Sequence, residues 1–206
     1  MCIEALCYNY SMKHFYLVRH TEFENPDEIL HGRLPLRLSE KGREQALQIA
    51  KKLKRKKVAR IYSSPVVRCR ETSQILGKEL GVPIVYDQRL LEVLTVMQGM
   101  KLTEYAKVSH RVYSIATELG GETMIDIQLR MMDFFFEKVK KETDNIVICS
   151  HGDPLYLLYL GLVRKDLPEE PSGFDDSEYP SKGSTREVKI LDDHSLKIGA
   201  LTRLSK

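Results

Sequence analysis

The sequence predicts an α/β fold, with a parallel or mixed β-sheet covered by helices on both faces. Three observations carry this expectation. Short apolar runs of strand length alternate with segments whose apolar residues recur at helical spacing. Two of the apolar runs, Tyr16-Leu17-Val18 and Asn145-Ile146-Val147-Ile148-Cys149, stop abruptly at polar groups that include a histidine, His20 and His151. The chain then closes on two period-two runs, Val188-Lys189-Ile190 and Leu196-Lys197-Ile198, as expected of outer hairpin strands around Asp192-Asp193-His194. Apolar runs without alternation belong to strands buried on both faces. Ligands of such sheets sit beyond the strand C-termini, which is where both histidines fall.

Each element has its own signal. Residues 22–38 lack periodicity and contain Asn25, Pro26, Gly32 and Pro35, so they form a long loop leaving the His20 strand. Ser39 caps a helix marked by Ala46, Ile49, Ala50 and Leu53 and reaching about Lys57. Its basic end, Lys51 to Lys57, reads as a solvated face complementing the helix dipole rather than a nucleic-acid patch. Val58–Tyr62 is a strand, and Ser64-Pro65 opens the next helix with serine as cap and proline in the first turn. That places Arg68 near the positive end of the helix, which Gly81 terminates. Ile84–Tyr86 is a third short strand, and residues 103–118 read as one helix. Thr123 and Asp126 form a capping box for a helix whose stripe Ile125, Leu129, Met132, Phe136 and Val139 is assigned to the core. After the His151 strand, Asp153 is read as a cap and Pro154 as first-turn proline of a helix to about Leu162. Residues 166–183, acidic and rich in Pro, Ser and Gly, form a surface loop.

Composition bounds the function. The chain of 206 residues suits one domain over residues 14–206, with residues 1–13 as an N-terminal extension and Met12 as an alternative start. A formal net charge of +3 gives no footprint for nucleic acid. No apolar run reaches the length of a membrane span, and the start lacks the basic segment and apolar core of a signal peptide. Cys2, Cys7, Cys69 and Cys149 are isolated thiols, which suits a reducing, cytoplasmic setting better than a disulfide framework. Only Cys149 and His151 are close in sequence, too few ligands for zinc. The oligomeric state, a homodimer included, is open.

Arg19, His20, Arg68, Glu92 and His151 are the candidates at the ligand edge. Two guanidinium groups and a helix N-terminus favour a dianion such as phosphate. A neutral imidazole can attack phosphorus, which suits His20. His151, as a cation, would stabilise the equatorial oxygens, and Glu92 would protonate the leaving oxygen and then deprotonate water. With that much positive charge no metal or other cofactor is required. Duller roles stay open at this point: Arg19 pairing with a surface carboxylate, Arg68 as an exposed first-turn residue, Glu92 as a solvated loop acid, and His151 bonded locally through Ser150. Asp153 would oppose an anion if it faced inward. His14, His31, His110 and His194 are read as solvated or structural, with His31, on the loop leaving the His20 strand, the first candidate for an exception.

These segments resemble the histidine phosphatase superfamily, or phosphoglycerate mutase-like family. Leu17-Val18-Arg19-His20-Thr21-Glu22 is similar to its R-H-G/T signature, with Thr21 where glycine is commoner. Leu38 to Ala46 is similar to L-[ST]-x-x-G-x-x-Q-A, Ser63 to Thr72 to S-S-P-x-x-R-x-x-x-T, and Arg89-Leu90-Leu91-Glu92 to R-L-x-E. Gly121-Glu122-Thr123 and Ser150-His151-Gly152 resemble the G-E-S/T and S-H-G turns, all in family order over about residues 15–165. The resemblance implies a three-layer α/β/α sandwich around a mixed, mostly parallel six-stranded sheet. It also implies a phosphohistidine on His20, a phosphate pocket of Arg19, Arg68 and His151, and Glu92 as proton donor. Asn25 and Arg33 lie where members hold substrate or phosphate, so both are secondary substrate-binding candidates. The 28 residues between Glu92 and Gly121 leave no room for the long insertion of cofactor-dependent mutases. The implied function is a metal-independent phosphatase for a small phosphorylated metabolite. A mutase-type phosphoryl transferase and a non-catalytic phospholigand-binding module are the alternatives.

Overall fold

The computed structural model describes residues 12–193 and 195–204, apart from the side chains of Ala116 and Thr117. The extension read over residues 1–13 therefore falls largely outside the described residues, as does His194. Lys13, assigned to that extension, is the first residue of strand β1 (Lys13–Arg19) and pairs with Ile190.

Six strands form one sheet in the order β3-β2-β4-β1-β5-β6. β2 (Val58–Ser63), β3 (Ile84–Tyr86) and β4 (Asn145–Ser150) run parallel with β1, whereas β5 (Thr185–Ile190) lies antiparallel to β1 and β6 (Leu196–Thr202) antiparallel to β5. Because successive strand residues face opposite sides, β1 feeds two cores. Phe15 and Leu17 pack with Ile146 and Ile148 against the helix α5 (Met124–Lys141) and α6 (Gly152–Leu162) side. Tyr16 and Val18 pack with Val147 against α1 (Glu40–Leu53) and α2 (Val67–Leu80). The three layers predicted from the sequence follow from this alternation.

Parallel registry fixes where the chain exits. Arg19 lies opposite Ser150 and Ser63 opposite Cys149, so β1, β2 and β4 end side by side. The next residue of each strand, His20, Ser64 and His151, emerges at one edge. Backbone bonds from His20 N to Ser150 O (3.0 Å) and Ser64 N to Cys149 O (2.9 Å) extend the ladder to that edge.

Several local expectations need correction. α1 stops at Leu53 rather than near Lys57, where the chain already has a positive φ of 49°. α2 starts at Val67 with Val66 in the cap position, so Ser64 is not its cap. α6 is capped by the backbone of His151, and Asp153 is its second residue. Residues 103–118 split into α3 (Leu102–Val108), a 3₁₀ turn at Ser109–Arg111 and α4 (Val112–Leu119). The stripe chosen on α5 is largely the solvent face: Ile125, Leu129 and Phe136 are exposed, while Met124, Ile127, Met131, Phe134, Phe135 and Val139 fill the core. That helix is apolar nearly all round at its start and middle, so periodicity alone selects the wrong stripe.

The glycine three residues after Ser39 has a steric cause. A Cβ on Gly42 would stand 1.9 Å from the backbone oxygen of Glu22, two residues past His20. Gly42→Ala is expected to destabilise the fold by ~3 kcal/mol through overpacking, read as a lower urea midpoint with unchanged slope. A loss below ~0.5 kcal/mol would contradict this contact.

Candidate active site

His20 is wholly buried, and its Nδ1–H donates to the Thr21 carbonyl at 2.9 Å. That bond fixes the tautomer and leaves the Nε2 lone pair facing Arg68, whose Nε–H donates to it at 3.1 Å. Burial first, then the guanidinium groups of Arg68 and Arg19, hold the His20 pKa well below the ordinary histidine range. The ring is therefore neutral, as a nucleophile requires.

Arg68, the second residue of α2, is also fully buried. Its Nη2 donates to Gly32 O (2.8 Å), His151 Nδ1 (2.9 Å) and Glu92 Oε2 (3.3 Å). One guanidinium thus gathers the two histidines and the acid. His151 uses Nε2 on Ser64 Oγ at 2.8 Å, and the two imidazole rings stand 5.2 Å apart. Burial and Arg68 push its pKa well below normal, so His151 is neutral here rather than the cation expected from sequence. A cationic role would need a bound anion to offset Arg68. The neighbouring Cys69 lies 3.4 Å from His151 Nε2, but burial drives its pKa well up and keeps it a thiol.

Glu92 follows the 3₁₀ turn Gln88–Leu90, which Ser150 Oγ ties to β4 through the Leu90 carbonyl at 2.8 Å. Burial raises the carboxyl pKa, Arg68 opposes the rise, and Asp153 reinforces it. Glu92 is a buried acid, not the solvated loop carboxylate of the duller reading. Arg19 stands outside this knot. Its Nη1 donates to Pro180 O at 2.6 Å, its guanidinium faces the Tyr179 ring, and its buried Nε has no partner among the described atoms.

The secondary candidates behave differently. Asn25 spends its side-chain amide on Ile29, donating to O (2.9 Å) and accepting from N (3.2 Å), so it organises its own loop and does not line the cavity. Arg33 is likewise turned away from that lining. It donates to the Glu92 carbonyl (2.8 Å) and to Glu122 Oε2 (2.9 Å), which makes it a brace for the acid.

A cavity of about 160 Å³ opens above the buried cluster, lined by Arg19, His31, Glu92, Tyr105, Asp153 and Tyr179 among others. Sequence reasoning missed its tyrosines, which come from segments without strong periodicity. Ser64 was misread as a cap, although its place immediately after a parallel strand, like those of His20 and His151, carried the signal. Asp153 does face inward, held by Tyr113 Oη (2.7 Å) and Tyr179 Oη (2.6 Å).

His20, Glu92 and His151 offer ligand atoms within 4.8 Å of one another, a spacing a divalent ion could also use. The Arg68 guanidinium in their midst favours an anion instead. Among the described residues no helix is long and apolar enough to cross a membrane.

Known proteins resemble this chain in sequence and in fold. Phosphoserine phosphatase 1 of Hydrogenobacter thermophilus is 31% identical over 179 residues, covering 79% of this chain and 82% of that protein. A 2,3-bisphosphoglycerate-dependent phosphoglycerate mutase of Thermoplasma acidophilum is 31% identical over 163 residues, covering 73% and 78%. The solved structure of Bacillus stearothermophilus YhfR superposes with a TM-score of 0.79 over 94% of this chain and 98% of that one, at 24% identity. The family model described as histidine phosphatase superfamily (branch 1) matches residues 15–174, and the chain belongs to that superfamily.

Proposed function

We propose that the protein is a phosphomonoester phosphatase that works through a phosphohistidine on His20. The observation that carries this reading is the convergence of His20 Nε2, His151 Nδ1 and Glu92 Oε2 on Arg68, at 3.1, 2.9 and 3.3 Å. Nε2 attacks phosphorus while the ester P–O bond breaks, and the Glu92 carboxyl delivers its proton to the departing alkoxide. Glu92, now ionised, takes a proton from water, which attacks the phosphohistidine and returns the imidazole. Arg68, Arg19 and His151 hold the phosphoryl oxygens, together with the backbone N–H groups that open α6. Arg19, with its unpartnered Nε, has donor capacity to spare for that oxygen set. The guanidinium charge stands in for the metal that many phosphoryl transferases use, so turnover is expected to survive a chelator.

The substrate is taken to be a small phosphorylated metabolite in a cytoplasmic setting, the latter resting on the free buried thiols of Cys69 and Cys149. Turnover of an aryl phosphate in the presence of chelator tests the reading. Release of inorganic phosphate supports it, and no turnover would favour a binding module. A mutase would instead interconvert the positional isomers of phosphoglycerate.

Glu92→Gln is expected to slow alkyl phosphates, which need a protonated leaving oxygen, by ~10²–10⁴-fold and aryl phosphates far less. Because the carboxyl pKa is raised, the acid is present below that value, and alkyl ester turnover falls as pH rises through it. That basic limb should vanish in the variant. Equal losses on both substrate types would remove Glu92 from the acid role.

A further inference from the structure

Away from the buried cluster, the cavity carries charge of the opposite sign. Among the titratable lining residues, burial and Arg68 depress the His31 pKa to about 3 and keep that ring neutral, and Glu92 holds the proton for the leaving oxygen, which leaves Asp153 as the carboxylate of this region. Arg19 is committed to the phosphoryl oxygens in the reading above. Arg33, Lys101 and Lys182 are not in the lining and have partners of their own, Glu122, the Asp27 carbonyl and Glu22 respectively. Asp153 accepts from Tyr113 Oη and Tyr179 Oη, so its partners are hydroxyls rather than cations. Each carboxylate oxygen keeps a further lone pair for a ligand.

We propose that the alcohol half of the substrate carries an ammonium group, so that the protein prefers phosphomonoesters of small amino alcohols to those bearing a carboxylate or second phosphate. The proposal rests on the phosphatase reading above and deepens it. An ammonium group beyond the phosphoryl site would meet the Asp153 carboxylate and the ring or hydroxyl of Tyr105, which suit a cation. Leu30, Val93 and Val112 would take the intervening methylenes. A carboxylate in the same place would be desolvated against Asp153 with no counter-charge. Discrimination thus comes from repulsion as well as attraction.

Phosphoethanolamine and phosphoglycolate test this, being nearly equal in size and opposite in terminal charge. Each is measured as a competitor of aryl phosphate hydrolysis by the full chain. Phosphoethanolamine is expected to have an inhibition constant lower by about tenfold or more, equivalent to ~1.4 kcal/mol. In Asp153→Asn that ratio should fall to within about threefold. Equal or inverted constants in the wild type overturn the proposal, as does failure of both ligands to compete. A ratio unchanged in Asp153→Asn overturns the assignment to that carboxylate, while the wild-type ratio stands as a test even if the variant misfolds. Absence of aryl phosphate turnover would instead overturn the phosphatase reading, and calorimetric titration of the same two ligands would then decide the charge preference alone.

Discussion

His20→Ala is expected to lower aryl phosphate turnover by about 10³-fold or more, with little change in the unfolding midpoint. The nucleophile cannot be replaced locally. His151 has Nδ1 occupied by Arg68 and Nε2 by Ser64, and the Cys69 sulfur is a protonated thiol in a buried setting. Loss of the imidazole also frees Arg68 Nε, so the variant should still bind inorganic phosphate. A fall below about tenfold would mean that water attacks the ester directly and that His20 only binds.

Arg68→Lys should be nearly as damaging, about 10²–10³-fold in kcat, although the charge is kept. The guanidinium makes separate bonds through Nε and Nη2 to His20, Gly32, Glu92 and His151. A lysine ammonium is a point charge and cannot span these acceptors in one plane. Its burial without the fork should also depress the ammonium pKa, so the loss deepens as pH rises. A variant within about threefold of wild type would show that charge alone suffices at this position.

Much of this site was legible because strands and motifs report backbone position. The apolar runs before His20 and His151 identified the parallel strands, and registry then dictated that their ends meet. Arg68 could be placed at a helix start from Ser-Pro punctuation, even though the helix begins later than that signal implied. Legibility failed where side-chain direction decides. Asn25 and Arg33 sit on the expected loop, yet one is consumed by Ile29 and the other by Glu92 and Glu122. The α5 stripe was misjudged because Met, Ile, Leu and Phe recur on more than one face, leaving the choice to tertiary packing. Tyr113 and Tyr179 reach the cavity from a broken helix and an irregular loop, and neither leaves a periodic trace. The neutral state of His151 depends on burial beside Arg68, a distance relation that no single sequence segment contains.

On the proposed mechanism a covalent bond forms between His20 Nε2 and phosphorus during turnover. Rapid alkaline quench of the protein with an isotopically labelled phosphomonoester, followed by peptide mapping, tests it most directly. One alkali-stable, acid-labile phosphoryl group per chain is expected, confined to the peptide carrying His20, absent from His20→Ala and longer-lived in Glu92→Gln. Steady turnover with no labelled peptide at any quench time, or label on His151 or Cys69, would contradict it.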